Sequence, residues 1–411
     1  MTALGVDFGT SNSLAAVWMD GRVELARFAD GSSGTPTVLY FPLNGKQYYI
    51  GGDGIERYFE DLENGHGGRL MFSIKSLLSD EKFDHTLVPK HGHLTASNLA
   101  SYFIRKLKQS AEAHFEREFD EVVLGRPVEF KELAIGRLRE AAEDAGFKKI
   151  TFCLEPVAAA VSYEATATGN ELVCVIDLGG GTSDICVVQT TPGRLSDLQN
   201  ASNVKAVAGV NIAGDEISAQ VFRQKLSPRF GAGSTFHSLG KEFLFPVHII
   251  NKLDRWHRIN LLKNQRDLTS IAEIIVSSDR PEDVKRLQTL IREHLGFQLF
   301  KSVEAAKAEL STDNETSIYF KRLGLDEAIS RREFEGISVA IFEQIRVAIL
   351  DTLNAASVRP DQIDRVLLTG GTSQIPFIQQ IVGEIFAKDK IRQPGFFSSV
   401  ASGLGRLAGQ M

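Results

Sequence analysis

A short pattern occurs twice in this sequence, and it constrains the fold more than any other feature. Residues 4–17 read LGVDFGTSNSLAAV, and residues 175–188 read VIDLGGGTSDICVV. In each copy an apolar run reaches an aspartate, a glycine-containing turn with Thr and Ser follows, and a second apolar run begins. Glycine allows the backbone to turn tightly between two strands. The pattern therefore predicts two β-hairpins, each of which opens one of two related halves of the chain.

Each predicted hairpin combines an acidic residue with groups that bind phosphate. Successive amide N–H groups in a glycine-rich turn can hold phosphate oxygens, and the Thr and Ser hydroxyls add donors. Asp7 and Asp177 would repel phosphate unless a cation lay between them. One such hairpin is weak evidence, because most glycine-rich turns only reverse the chain. Two copies predict a clamp that holds the phosphates of one nucleotide, with a divalent ion, from both sides.

The segments that follow each hairpin alternate between predicted strands and helices. In the first half we predict strands at 4–7, 13–18, 23–28, 37–41, 121–125 and 150–154, and helices at 95–116, 131–145 and from 156. In the second half we predict strands at 172–177, 183–190, 204–208 and 365–371, and helices from 215, over 283–310, over 330–356, from 375 and from 399. Residues 226–280 follow no clear pattern. This order predicts an α/β fold with mixed sheets covered by helices.

Composition excludes several classes of protein. Hydrophobic residues make up 43% of the chain and charged residues 24%, which is typical of a globular protein, and the net charge of −6 argues against nucleic-acid or anionic-membrane binding. The N-terminus does not resemble a signal peptide, and no apolar run approaches the ~20 residues that span a bilayer. Three cysteines, Cys153, Cys174 and Cys186, lie in apolar runs and predict reduced core thiols. We therefore expect a cytoplasmic protein. A monomer or weak oligomer is a separate expectation that composition does not decide.

Five segments together resemble a known family. They are GVDFGTSNS (5–13), LEPVAAAVSYE (154–164), DLGGGTSDI (177–185), VEAAKAELS (303–311) and VLLTGGTSQIP (366–376). In this order they resemble the nucleotide-binding domain of the heat-shock protein 70 (DnaK-type) chaperones, and most of all the shorter YegD-like members. That family lies in the superfamily of actin, sugar kinases and chaperone ATPases. The resemblance implies a two-lobed actin-like ATPase fold, in which each lobe has a ribonuclease-H-like mixed sheet flanked by helices and nucleotide binds between the lobes.

The resemblance also implies roles for individual residues around the phosphates. Lys75, Glu155, Asp177 and Thr182 are the catalytic candidates. Lys75 would offset charge at the γ-phosphate, and Glu155 would place the attacking water or the waters of the metal. Asp7, Asp177 and Asp184 would hold Mg²⁺ largely through water, or a potassium ion beside the phosphates. The two phosphate loops would be Gly9, Thr10, Ser11 and Asn12, and Gly179, Gly180, Gly181 and Thr182.

The adenosine of ATP or ADP would contact a second set of residues. By the same resemblance these are Gly214, Asp215, Glu304, Lys307, Ser311, Gly370, Gly371 and Ser373. Simpler interpretations stay open for three of the candidates. Lys75 alone could be a solvated lysine, Glu155 could interact only with a helix dipole, and Glu304 with Lys307 could be an ordinary surface ion pair.

The sequence departs from the family pattern in three ways. Ala308 and Gln374 stand where many members have basic residues on the two faces of the adenine, so base stacking is weakened. Lys75 and Glu155 are closer in sequence than the family pattern, whereas Asp215 and Glu304 are farther apart. We expect no peptide-binding domain after residue 411. Lobe I would comprise residues 1–168 and 395–411, with a peripheral part at about 36–119, and lobe II residues 169–394, with an enlarged peripheral part at about 214–311.

These observations predict a slow, Mg-dependent ATPase of chaperone type that acts as a nucleotide-driven conformational switch. Its protein partner or client is not identified by the sequence. A filament-forming actin-like ATPase, a small-molecule kinase of the same superfamily and a nucleotide sensor without hydrolysis are the alternatives.

Overall fold

The computed structural model describes residues 3–28, 30–165, 167, 169–193, 203–393 and 398–411. The strands are β1 (Leu4–Phe8), β2 (Asn12–Met19), β3 (Arg22–Leu25), β4 (Thr35–Pro36), β5 (Val38–Phe41), β6 (Tyr49–Ile50), β7 (Arg69–Phe72), β8 (Thr86–Val88), β9 (Gly92–Leu94), β10 (Glu121–Arg126), β11 (Lys149–Leu154), β12 (Glu171–Leu178), β13 (Ser183–Thr190), β14 (Val204–Val210), β15 (Thr235–Ser238), β16 (Lys241–Leu244), β17 (Glu315–Phe320), β18 (Leu325–Ser330), β19 (Arg365–Thr369) and β20 (Ile391–Arg392).

The helices connect and cover these strands. They are α1 (Gly51–Glu63), α2 (Ile74–Leu77), α3 (Ala96–Phe115), α4 (Glu132–Asp144), α5 (Glu155–Glu164), α6 (Gly214–Val221), α7 (Val247–Ile250), α8 (Trp256–Ile259), α9 (Gln265–Ser277), α10 (Pro281–Arg292), α11 (Gly296–Glu309), α12 (Arg331–Ala355), α13 (Pro376–Ile385) and α14 (Ser399–Ala408).

The two main sheets have the same topology. In the first, β1, β2 and β3 are antiparallel neighbours and β10 and β11 continue in parallel from β1, which gives the order β11-β10-β1-β2-β3. In the second, β12, β13 and β14 are antiparallel neighbours and β19 and β20 continue in parallel from β12. Written in the same direction as the first sheet, the order is β20-β19-β12-β13-β14. The mixed α/β class is therefore confirmed, and the two halves predicted from the repeated pattern share one strand order.

The chain forms two compact units. Unit 1 comprises Met1–Ala213, Ile345–Ser373 and Gln379–Met411, and unit 2 comprises Gly214–Gln344 and Gln374–Ile378. Both main sheets belong to unit 1, whereas the hairpins β15-β16 and β17-β18 belong to unit 2. The predicted lobe boundaries at 168 and at 394–395 fall on residues outside the described ranges, so the division into lobes stays a prediction.

Strand β1 is the central strand of the first main sheet and is buried on both faces. Leu4, Val6 and Phe8 pack into a cluster that includes apolar residues of α3 and α4. The other face carries Gly5, where a Cβ atom would lie 2.4 Å from the backbone nitrogen of Gly405 in α14. Because successive residues of a strand face opposite sides, glycine at this position lets the last helix approach the backbone of β1.

Most local signals in the sequence are confirmed. The Thr95 side chain accepts a hydrogen bond from the Asn98 N–H and caps α3, and Gly146 after α4 has φ +97°. The continuous helix predicted over 283–310 is wrong, because α10 ends at Arg292 and His294 adopts φ +59° before α11 begins. Residues 226–280, which followed no pattern, contain β15, β16 and α7 to α9.

Two further observations concern the cysteines and the apolar character of the helices. Cys153, Cys174 and Cys186 are buried free thiols, as predicted, and burial raises the pKa of Cys153 and of Cys174 to about 12. Within the described ranges, no helix has both the length and the apolar character that crossing a membrane requires.

Candidate functional site

The two glycine turns have the same register in their hairpins. In the first, Phe8 pairs with Ser13 and Asp7 with Leu14. In the second, Leu178 pairs with Ser183 and Asp177 with Asp184. The repeated sequence therefore forms the same β-turn-β unit twice, with an aspartate at the same place. The second hairpin has an additional carboxylate, because Asp184 replaces an apolar residue.

Glycine and hydroxyl groups fix the shape of the turns. A Cβ atom on Gly9 would lie 2.1 Å from the Asn12 carbonyl oxygen, so the first turn requires glycine there. Thr37, which the sequence did not single out, donates its N–H to the Ser11 carbonyl and its hydroxyl to the Gly9 carbonyl, both at 2.8 Å. A Cβ atom on Gly181 would lie 2.9 Å from Oγ1 of Thr10. The tips of the two hairpins are thus neighbours within unit 1.

A buried ion pair lies beside the hairpins. Lys75 in α2 and Glu155 at the start of α5 are only 3% and 6% exposed, and Lys75 Nζ lies 2.5 Å from Glu155 Oε1. The ring of Phe130 lies 5.9 Å from the same Nζ. Lys75 is therefore not a solvated surface lysine, and Glu155 does more than face a helix dipole.

Three aspartates interact electrostatically with this ion pair. Burial, and then repulsion from Glu155, raises the pKa of Asp7 to about 8, that of Asp184 to about 7 and that of Asp177 to about 6. Burial lowers the pKa of Lys75, but attraction to Glu155 and Asp7 outweighs it and the pKa is raised. When ionised, the four carboxylates carry more negative charge than the lysine offsets, so this group attracts cations.

Hydrogen bonds hold the second hairpin against the ends of neighbouring strands. Asp177 accepts from the Thr369 hydroxyl at 2.9 Å, and Asp184 accepts from the Val128 N–H at 2.7 Å. The Thr372 hydroxyl donates to the Gly179 carbonyl at 2.7 Å. The sequence reasoning missed these threonines, although both flank the glycine pair of the motif TGGT.

The carboxylate oxygens suit Mg²⁺, which prefers oxygen ligands and keeps several of its waters. Within the described part of the chain, no group of three or more His, Cys, Asp or Glu side chains is arranged to hold a metal ion directly. An ion held largely through water would offset part of the negative charge of these carboxylates. Asp7, Asp177 and Asp184 as metal-associated residues stay a prediction.

The residues predicted to contact adenosine divide between the two units. In unit 2, Lys307 Nζ lies 2.7 Å from Glu304, 2.9 Å from the Ser218 hydroxyl and 3.2 Å from the Gly214 carbonyl. Ser218 also donates to Glu304. Nothing in the sequence singles out this buried serine except its place one turn after Gly214. The Lys307–Glu304 pair is thus part of a network rather than an isolated surface pair.

The other members of this unit 2 set lie close by in the sequence. The Ser311 hydroxyl is 3.5 Å from the Lys307 carbonyl. Burial, the largest effect, raises the pKa of Asp215 to about 6. Their contact with adenosine stays a prediction.

In unit 1, Gly370 has φ +81°, and a Cβ atom there would lie 2.2 Å from the Leu178 carbonyl of the second hairpin. The Ser373 hydroxyl donates to the Gly370 carbonyl at 2.6 Å. Gly371 begins the short 3-10 turn between them. A shared adenosine role for these three residues and the unit 2 residues stays a prediction.

Comparison with known proteins decides the family. A family model described as "Hsp70 protein" matches residues 3–211 and 285–404. This chain belongs to the Hsp70 family. Among curated Hsp70 relatives, the chaperone protein DnaK of Thermotoga petrophila is 27% identical over 97% of this chain, and that of Thermosipho africanus is 26% identical over 97%. The chain spans 58% and 57% of the length of these two relatives. Residues 212–284, outside the family match, include β15, β16 and α7 to α9.

Proposed function

We propose that this Hsp70-family protein binds Mg-ATP at the paired hairpins of unit 1 and hydrolyses it slowly to ADP and phosphate. One observation carries the proposal. Two hairpins of identical register bring an aspartate each, and their glycine turns, to the buried Lys75–Glu155 pair. Amide groups of such turns bind phosphate, and the surrounding carboxylates supply the charge that a divalent cation would balance.

The charges explain why binding would depend on the metal. The aspartates have raised pKa values because they are buried and, to a smaller extent, because Glu155 repels their ionised forms. A polyphosphate would add negative charge to that group. A bound Mg²⁺ would offset the charge of the phosphates and of the carboxylates, and the side chains that fit it are Asp7, Asp177 and Asp184. A potassium ion beside the phosphates could add to this effect.

Lys75 and Glu155 would act on the transferred phosphoryl group. Phosphoryl transfer relies mainly on positioning and on stabilising charge in the transition state. The Lys75 ammonium, now paired with Glu155, would offset charge as the bond to the leaving oxygen breaks. Glu155 would then orient water and accept its proton. Thr182 and Asp177 would add polar groups beside the transferred phosphoryl group.

The biological role follows from the family rather than from the site. The relatives named above are chaperones, and we propose a chaperone-like protein in which nucleotide exchange drives a conformational switch in the cytoplasm. We also propose adenosine contacts for the predicted residues of α6 and α11 and, separately, for those of the turn 370–373. The client protein is part of this proposal only as an unidentified partner.

Calorimetry with ATP, with Mg²⁺ or with a chelator, tests the binding step, and phosphate release tests hydrolysis. We expect Mg-dependent binding that Asp177→Asn weakens, while Asp326→Asn, an exposed position in β18, leaves it unchanged. Equal binding by wild type and Asp177→Asn would overturn the clamp. Binding without turnover would support a nucleotide sensor.

The same preparation separates the remaining alternatives. Sedimentation of the protein with ATP in a concentration-dependent way would favour a filament-forming ATPase. Transfer of the phosphoryl group to a small molecule rather than to water would favour a kinase. We expect neither result.

A further inference from the structure

The helix that carries Lys75 is too short to be stable by itself. Helix α2 has four residues, Ile74–Leu77, and its first residue follows Ser73, which has φ +49° and provides no side-chain cap. A single helical turn is unfavourable unless tertiary contacts support it. Ile74 and Leu78 are fully buried and anchor the apolar side of this turn. At its C-terminal end the carbonyls of Lys75, Ser76 and Leu77 accept only single backbone N–H groups of Leu78, Ser79 and Asp80, at 3.2–3.3 Å, so the end of the turn has room for further donors.

One side chain adds such donors, to the last carbonyl of α2 and to three carbonyls of the segment that follows it. Arg137 projects from α4 toward the segment that follows α2, and its guanidinium lies within hydrogen-bonding distance of four backbone carbonyls. From Nη1 the distances are 3.2 Å to Leu77, 3.1 Å to Leu78 and 2.9 Å to Asp80, and from Nη2 the distance is 3.2 Å to Phe83. The planar fork of arginine suits such convergent acceptors, which the single ammonium of lysine cannot match.

The contacts join the end of α2 to a long helix. Arg137 is separated from Lys75 in sequence and makes no hydrogen bond to it among the described contacts, yet it fixes the backbone two to eight residues after Lys75. The ammonium in turn must reach Glu155 from a nearly fully buried position. Loss of the guanidinium would remove this link between α4 and the end of α2, and would allow Lys75 to shift.

We propose that Arg137 is a positioning residue for Lys75, which holds the one-turn helix α2 in place so that the ammonium faces the phosphates. The inference rests on the proposed function, since it assigns Lys75 to the phosphoryl group. A displacement of about 1 Å in a reacting group can lower a rate by about a hundredfold. We expect Arg137→Ala to lower kcat by about tenfold to a hundredfold while the affinity for ATP changes little.

Chemical labelling of lysines tests the position of Lys75 without any turnover. The ligand-free protein is treated with a small amine-acylating reagent, and modification of each lysine is quantified by peptide mass spectrometry. Buried Lys75 should be protected in wild type and should be modified at least about tenfold faster in Arg137→Ala. A tenfold difference in labelling rate corresponds to a decrease of about 1.4 kcal/mol in the free energy of exposing Lys75. Lys148, whose side chain is 77% exposed, serves as the internal reference. Arg105→Ala is the matched control, because Arg105 also donates to a backbone carbonyl, that of Asp144.

A double-mutant cycle tests whether Arg137 acts through Lys75. In a Lys75→Ala background, Arg137→Ala should cause no further loss of turnover. In the protein that retains Lys75, Arg137→Lys should keep part of the turnover that Arg137→Ala loses. Unchanged labelling of Lys75 in Arg137→Ala, or fully additive losses, would overturn the inference. Normal turnover in Lys75→Ala would instead refute the proposed role of that lysine, and labelling would still decide the positioning. If Arg137→Ala does not fold, Arg137→Lys is labelled in its place, with the same expected direction.

Discussion

Replacing Asp7 by asparagine should stabilise the ligand-free protein at neutral pH while it weakens the binding of Mg-ATP. The reason is the pKa of Asp7, which burial, followed by the charge of Glu155, raises from 3.8 to about 8. The folded state therefore keeps the Asp7 proton over a pH range in which the unfolded chain has released it. Ionising this carboxylate within the fold costs free energy, and asparagine removes that cost.

The sign and size of the effect follow from proton linkage. Between pH 3.8 and about 8 the folded state holds more protons at Asp7 than the unfolded state, so the free energy of unfolding decreases as the pH rises. For one proton the slope is about −1.4 kcal/mol per pH unit. Asp7→Asn should make the measured slope between pH 5 and pH 7 shallower by about this amount. Because Lys75 favours the ionised form of Asp7 and this attraction is lost in asparagine, we expect a net gain on the order of only 2 kcal/mol at pH 7.

Denaturant unfolding at several pH values measures both slopes, and calorimetry with Mg-ATP measures the loss of binding. Asp326→Asn is the control, since this exposed aspartate lies on β18. An Asp7→Asn variant with the wild-type slope, or one less stable than wild type at pH 7, would refute the view that the carboxylate is an unfavourable charge in the ligand-free fold. Retained Mg-ATP affinity would separately refute its role beside the metal.

Four other substitutions have expected outcomes. Lys75→Ala should lower the rate of phosphate release by about a hundredfold, because electrostatic stabilisation of ~3 kcal/mol is lost, and should change ATP affinity less. A normal rate would mean that the Lys75–Glu155 pair has a structural role only. Gly403→Ala should destabilise the fold by about 1–3 kcal/mol, because its Cβ would lie 1.7 Å from the Ala158 carbonyl. Gly136→Ala in α4, with nothing within 4 Å of the new Cβ, should stabilise the fold by about 0.5–1 kcal/mol. Thermal denaturation compares the two glycine variants, and equal effects on stability would contradict the packing argument. Gln374→Arg should tighten adenosine and ATP binding together by about tenfold, through a cation–π contact worth ~1.4 kcal/mol, as calorimetry with each ligand would measure; an unchanged affinity for both would place the adenine away from this side chain.

Local features of the fold could be predicted because their signals lie close together in the sequence. The alternation of strands and helices, the Thr95 cap and the glycine after α4 depend on neighbouring residues. The continuous helix predicted over 283–310 failed for the complementary reason. Apolar spacing continues through the break, and nothing local revealed that His294 would adopt a left-handed conformation between α10 and α11.

The candidate site was predictable only in part. The resemblance to the family pointed to Lys75 and Glu155, but their burial and 2.5 Å contact join residues from distant parts of the chain. Thr37, Thr369 and Arg137 were missed because their partners are backbone carbonyls or carboxylates that no spacing rule connects to them.

The sequence by itself determined that this protein has two related halves, each opened by an aspartate-glycine hairpin, and that it belongs among α/β proteins. These properties follow from short-range patterns, since a turn and the strands around it are specified within a few residues. Only the tertiary structure decided that the two turns are neighbours and that a lysine is buried against a glutamate beside three aspartates with raised pKa values. Burial and charge repulsion depend on distances through space, and the packing of β1, α5 and α14 sets those distances.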